Sequence, residues 1–248
     1  MKLSLAVIPL VDGDQRGNLA RMEAAARKAE AEGACLCCFG ECAAQGFNCL
    51  TWDYGSDRDT GISVRSEAFL EFRRMGERVG IDLLFGFIES DRNALYSSCA
   101  LVERGKEPRI YRRISKGWKE FSRTDGHYRE GDGPIVFEYR GIRCTIALCG
   151  DLWDDTAPRF LGTGAELLFW PVYVCYPPEE WENGTLEEYA EKASEFAPKT
   201  LLVNSICRNA DSDGKEKFDA WGGCAFFKNG EVFSSLPMGQ EEILTVEL

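Results

Sequence analysis

The chain has one histidine, His127, in 248 residues. A Cys-His or Ser-His-Asp enzyme would have to use that residue. It sits in the polar run Asp125-Gly126-His127-Tyr128-Arg129-Glu130-Gly131, which reads as an exposed loop. Positive charge is also scarce. Lys and Arg number 29 against 41 Asp and Glu, for a net charge of −12 and a pI near 4.8. There is no basic stripe, and a surface of this sign repels a phosphate backbone, so nucleic acid is not expected as a partner. No apolar run approaches the roughly 20 residues that cross a bilayer, so no membrane partner is expected either. The opening run from Met1 to Leu10 is short, interrupted by Pro9 and followed at once by Asp12 and Asp14. It reads as a first core strand, not a secretion signal. Linkers, repeats and low-complexity stretches are lacking, and the expectation is one domain over residues 1–248.

Cysteine, by contrast, is plentiful. There are 11, an odd number, mostly inside apolar strand-like runs. The chain is too long for a disulfide scaffold, so the reading is reduced core cysteines in a cytoplasmic protein. Cys35, Cys37 and Cys38 lie within one strand, where adjacent side chains point to opposite faces and do not converge on an ion. No metal and no cofactor is expected.

Strand and helix patterns alternate, which indicates an α/β fold. Residues 18–32 are alanine-rich with interspersed charge and end at Gly33; residues 64–79 carry Phe69, Phe72 and Met75 at helical spacing and end at Gly80. Strands are expected at 81–88, 96–103, 109–114, 135–139, 142–148, 167–172 and 200–206, with helices at 158–164 and 186–196. A hairpin is expected over 222–233, turning at Lys228-Asn229-Gly230-Glu231. Residues 115–133 form a long polar loop.

Two strand ends stand out. Residues 142–148 are β-branched and apolar and lead into Cys149-Gly150-Asp151-Leu152-Trp153-Asp154-Asp155. Glycine after the cysteine permits a sharp turn and close approach of the backbone. Upstream, Ala34-Cys35-Leu36-Cys37-Cys38-Phe39 leads through Gly40 to Glu41. A thiol and a carboxylate at two strand ends suggest covalent catalysis by an activated cysteine, with a carboxylate as its base. Taken singly, a buried cysteine is usually a small hydrophobe and a strand-end glutamate a solvated charge; only their setting raises them. Asp151, Asp154 and Asp155 read as turn-forming and capping residues. Trp118 and Trp153 either line a pocket or pack.

In these stretches the chain resembles the nitrilase superfamily of carbon–nitrogen hydrolases along nearly its whole length. Residues 33–47 are similar to the family's glutamate motif, with Glu41 on the base position and Gly40 where proline is usual. Residues 148–153, with Arg159, Leu161 and 164–171, are similar to the cysteine motif and its trailing helix and strand. Asn204, Gly222-Gly223-Cys224 and Asn229-Gly230 resemble the closing strands. The lysine motif, usually Tyr-x-Lys, departs: Tyr111-Arg112-Arg113 puts arginine on the lysine position, with Lys116 and Lys119 just downstream. Arginine is a planar fork and not a compact ammonium, so the two are not equivalent.

The resemblance implies a four-layer α-β-β-α sandwich. It implies Cys149 as nucleophile, Glu41 as general base and acid, and a cation from Arg113, Lys116 or Lys119 at the oxyanion. The second glutamate falls on Glu120, with Glu130 as the alternative. The implied reaction is hydrolysis of a small linear carboxamide through a thioester, releasing ammonia. With arginine on the lysine position, a catalytically silent binding or assembly protein is the alternative, and acyl transfer a third. Asp151-Leu152-Trp153 is similar to the glutaminase domains attached to NAD synthetases, which favours an amide over a nitrile. These residues hold no synthetase domain, so free ammonia is expected. A homodimer or higher homo-oligomer is expected, formed around 158–164 and 186–196.

Overall fold

The structure, a computed structural model, describes residues 1–153, 155–210 and 216–248. The first half contributes β1 (Lys2–Val7), β2 (Pro9–Leu10), α1 (Gln15–Ala31), β3 (Leu36–Cys38), α2 (Tyr54–Asp57), α3 (Glu67–Val79), β4 (Asp82–Asp91), β5 (Ala94–Val102) and β6 (Arg109–Arg112). The second contributes β7 (Val136–Tyr139), β8 (Ile142–Ile146), β9 (Leu167–Val172), α4 (Pro178–Glu180), α5 (Leu186–Ser194), β10 (Lys199–Asn204), β11 (Ile206–Ala210), β12 (Glu216–Trp221), β13 (Cys224–Lys228), β14 (Glu231–Leu236) and β15 (Glu242–Glu247). Two six-stranded sheets, ordered β15-β1-β3-β4-β5-β6 and β14-β13-β10-β9-β8-β7, form the α/β sandwich. A small sheet, β12-β11-β2, lies beside them.

Alternation along the strands explains the layers. Leu3, Leu5 and Val7 of β1, with Leu84 of β4, join the inner core shared with Ile146, Phe169, Leu202 and Phe226 of the second sheet. The intervening Ala6, Leu83, Phe85 and Phe87 face outward, onto α1 and α3. A strand buried on both faces must be apolar at both parities, as these are. Helix α3 begins at Ser66, whose hydroxyl accepts from the Phe69 N–H (3.2 Å), and ends at Gly80, in the left-handed region at φ +86°. Its stripe Phe69, Phe72 and Met75 is fully buried, and Phe72 stacks on Phe85 at 4.6 Å. Each such side chain contributes about 1.5–3 kcal/mol by leaving water. Helix α5 covers the second sheet with Tyr189, Ala190 and Ala193.

The expected strands are present with ends shifted by a few residues. The first helix begins three residues earlier than the pattern suggested, capped by Asp14, which accepts from the Gly17 N–H (2.9 Å). The stretch at 158–164 forms only a 3₁₀ turn, Ala157–Phe160. Among the described residues no helix is long and apolar enough to cross a membrane.

Strands β1, β3 and β4 run parallel, as do β8, β9 and β10. In open α/β sheets, sites form at the carboxyl ends of such strands. Glu41 follows β3, Arg113 follows β6, Cys149 follows β8, and Tyr173 follows β9.

Candidate active site

Glu41 is fully buried. Its backbone N–H donates to the Val172 carbonyl (3.3 Å), and its Oε1 accepts from Ser97 Oγ of β5 (2.7 Å). Gly86 makes this possible: a Cβ there would lie 2.5 Å from the Cys42 nitrogen and 2.7 Å from Glu41 Cα. Gly40 is equally constrained, because a Cβ would meet Ser205 Oγ at 2.6 Å. That contact is a physical reason for glycine where proline is usual.

Arg113 is also buried, and its guanidinium points at Glu41. Nη1 donates to Oε1 (3.0 Å) and lies 3.3 Å from Oε2, while Nε donates to Ser115 Oγ (2.7 Å). The remaining arm, Nη2, lies 2.8 Å from where a Cβ on Gly150 would sit. Glycine at 150 therefore leaves room for the arginine beside the cysteine turn. Burial alone would lower the Arg113 pKa, but the charges of Glu41, Cys149 and Asp151 outweigh it and hold the group firmly cationic.

Cys149 opens a 3₁₀ turn, Cys149–Leu152, and has φ +42°, a left-handed value rarely adopted by residues other than glycine. Its carbonyl accepts from Trp170 Nε1 (2.9 Å), and its half-buried thiol donates to the Tyr173 carbonyl (3.5 Å). Glu41 and Cys149 thus hydrogen-bond to consecutive residues of one chain, Val172 and Tyr173. Burial pushes the thiol up to about 11; the Arg113 cation pulls against it, and Glu41 and Asp151 add to it.

The downstream cations lie elsewhere. Lys119 Nζ donates to the Tyr128 carbonyl (2.6 Å) and pairs with Glu130 (2.6 Å), so both residues are used in closing the 115–133 loop. Lys116 is exposed on a 3₁₀ turn, Lys116–Trp118. Glu120 is exposed too, and its carboxylate accepts from Ser122 Oγ (3.0 Å). Of the cations considered from sequence, Arg113 is the one whose hydrogen bonds reach Glu41. The Tyr-x-Lys register gives that alignment directly, and shifting the loop to favour a lysine is unnecessary.

Other residues found here carried weak signals. Ser97 is one of two serines in the otherwise apolar β5, a break in pattern that marks a polar partner. Ser115 and Gly86 carried none. Trp118 packs among Leu50, Trp52 and Tyr128, whereas Trp153 is 40% exposed beside Tyr189. His127 stacks on Tyr54 (3.9 Å) and pairs with Asp125, as an exposed loop histidine would. Asp154 lies outside the described residues. Among the described residues, no group of three His, Cys, Asp or Glu side chains is arranged to hold a metal ion.

The family model for carbon-nitrogen hydrolase matches residues 2–248. A glutamine-dependent NAD(+) synthetase of Thermotoga maritima is 25% identical over 258 residues, covering all of this chain and 42% of that protein. An N-carbamoylputrescine amidase of Solanum tuberosum is 26% identical over 118 residues, 45% of this chain and 38% of its own length. The chain spans less than half the length of the curated relatives it matches. Among solved structures, an amidase of Nesterenkonia AN1 from the nitrilase superfamily superposes with a TM-score of 0.79 at 17% identity, covering 100% of this chain and 90% of that one. A glutamine-dependent NAD+ synthetase of Acinetobacter baumannii gives 0.76 at 20% identity, covering 98% and 44%. The fold is that of the nitrilase superfamily, and the chain belongs to the carbon-nitrogen hydrolase family.

Proposed function

We propose that this chain hydrolyses the C–N bond of a small linear carboxamide through a thioester on Cys149, with Glu41 as the proton carrier and Arg113 as the cation. The observation that carries this reading is the placement of Arg113, bonded to Glu41 at 3.0 Å with its free arm over Gly150. Glu41 takes the thiol proton as sulfur attacks the amide carbon. The oxygen becomes an oxyanion facing Arg113 Nη2; one such donor is worth about 3–4 kcal/mol. The C–N bond breaks, Glu41 returns the proton to the leaving nitrogen, and ammonia departs. Glu41 then deprotonates a water, which attacks the thioester and frees the acid and the thiol. Amide plus water gives carboxylic acid plus ammonia.

Lys116, Lys119 and Glu120 take no part in this scheme; Lys119 and Glu130 shape the loop. A silent binding protein would be favoured by a pocket without a lysine together with an Arg113 turned away from Glu41; Lys116 is exposed and Lys119 is bound to Tyr128 and Glu130, but the Arg113 guanidinium is turned in. Similarity to NAD synthetases that use glutamine supports a primary carboxamide, and glutamine is the first probe. We also propose self-association through residues 186–196 and 158–164, where Leu161 is 56% exposed.

The test is ammonia release from glutamine, short aliphatic amides and an N-carbamoyl amine. Release from a primary amide by wild type, absent in Cys149→Ala, is expected. Turnover of the N-carbamoyl compound alone would move the substrate class, and equal release by Cys149→Ala would remove Cys149 from the mechanism.

A further inference from the structure

Asp151 is fully buried, and its carboxylate accepts four hydrogen bonds. Oδ1 takes the backbone N–H groups of Ile114 (3.1 Å) and Ser115 (2.8 Å). Oδ2 takes the Leu148 N–H (2.8 Å) and the Tyr111 hydroxyl (2.5 Å). Tyr111, Ile114 and Ser115 flank Arg113 on both sides, and Leu148 immediately precedes Cys149. Capping the cysteine turn requires only the Leu148 bond. The other three go to the segment that carries the arginine.

We propose that Asp151 is the positioning residue that fixes Arg113 against the Cys149 turn, with the Tyr111 hydroxyl as its second anchor. This rests on reading Cys149 and Arg113 as nucleophile and cation. A buried carboxylate is tolerated when its oxygens are saturated by donors, and a saturated one is rigid. Asp151 touches no reacting atom; it acts by joining two segments. Asparagine at 151 would keep Oδ1 for the two amides of the arginine segment. It would set an NH₂ against the Leu148 N–H, two donors facing each other, and so release the cysteine turn from that segment.

The consequence is read on the thiol without any substrate. Cys149 faces Arg113, Glu41 and Asp151, the Tyr189 phenol is near, and the Tyr173 carbonyl accepts its S–H. As a mere charged neighbour, Asp151 disfavours the thiolate, and Asp151→Asn would lower the pH at which Cys149 ionises. As a positioning residue, its loss frees Arg113 to drift, and the midpoint rises. The two roles have opposite signs. Tyr111→Phe keeps the Asp151 charge and loosens only the anchor.

The experiment is the pH dependence of iodoacetamide alkylation of Cys149, followed by peptide mass mapping. It compares wild type, Asp151→Asn, Tyr111→Phe and Tyr139→Phe, each checked for folding by circular dichroism. Tyr139 donates to buried Asp82 (3.0 Å) at the opposite strand ends, so it controls for loss of a Tyr–Asp bond as such. The midpoint is expected to rise by about half a unit or more in Asp151→Asn, to rise less in Tyr111→Phe, and to stay put in Tyr139→Phe. A lowered or unmoved midpoint in folded Asp151→Asn overturns the proposal. If that variant does not fold, an unmoved midpoint in Tyr111→Phe does so. Should Cys149→Ala still release ammonia, the catalytic reading falls instead, a separate outcome from the alkylation profile.

Discussion

Arg113 Nη1 lies 3.0 Å from Glu41 Oε1, and both side chains are buried. Their segments come from different strands of one sheet, and the pair meets beside a cysteine supplied by the other. With Nε on Ser115 and Nη1 on Glu41, two of the three guanidinium nitrogens are committed and the third faces the Cys149 turn. A lysine offers one nitrogen and cannot hold both ends.

Arg113→Lys should therefore fold but lose the arm over Gly150. The expected fall in kcat is about 10²–10³-fold, the size of a lost oxyanion donor, with KM changed far less. Arg113→Met leaves Glu41 buried without its cation and should cost about 3–5 kcal/mol of stability. Steady-state kinetics and thermal melts check both. Wild-type kcat in Arg113→Lys would show that any cation there suffices.

Gly150→Ala would put a methyl group 2.8 Å from Arg113 Nη2. The arginine tip must move, and a misplacement of that size costs on the order of 10²-fold in rate. In the Arg113→Lys background the obstructed atom is gone, and the same alanine should cost little. A double-mutant cycle measures this coupling. Equal losses in both backgrounds would mean that the alanine acts through the turn itself.

Lys116→Ala should leave kcat within about threefold, because Lys116 is exposed and Arg113 occupies the position beside Glu41. Lys119→Met should lower the melting temperature by removing the partner of Glu130, at about 1–3 kcal/mol. A collapse of kcat in Lys116→Ala on the scale of Arg113→Lys would place the cation at Lys116.

Stability should fall with alkaline pH. Burial raises the pKa of Cys37, Cys38, Cys42, Cys49, Cys99, Cys144, Cys149, Cys207 and Cys224. Above pH ~8.5 the unfolded chain sheds these protons while the folded chain keeps them. The unfolded state then binds fewer protons, so unfolding free energy drops as pH rises, by about 1.4 kcal/mol per unit for each ionised thiol. The contribution is fully present below pH ~8 and is lost above it. Urea melts from pH 7 to 10 under reducing conditions check this; a flat profile would contradict the burial of the thiols.

The legible parts of the sequence were the local ones. Cys149 and Glu41 each close an apolar run, and Phe69, Phe72 and Met75 repeat at helical spacing, so nearest neighbours suffice to place them. Strand β15 was missed because its register is fixed by β1, at the other end of the chain. The small sheet was missed because β2 is two residues long and exists only by pairing with β11. The reason for Gly40 lies in Ser205, and the use of Lys119 lies in Glu130 and Tyr128, contacts that no spacing rule encodes. Asp151 read as a cap, which its bond to Leu148 satisfies. Its hold on the arginine segment needed the two sheets brought together.

The most direct measurement is intact mass of the protein after rapid quenching with a turned-over carboxamide. Wild type is predicted to carry one acyl group, mapped to the Cys149 peptide, and Glu41→Gln far less, because it lacks the carboxylate that takes the thiol proton and protonates the leaving nitrogen. Cys149→Ala is predicted to carry none. An adduct on another residue, or ammonia release by Cys149→Ala at the wild-type rate, would contradict the thioester.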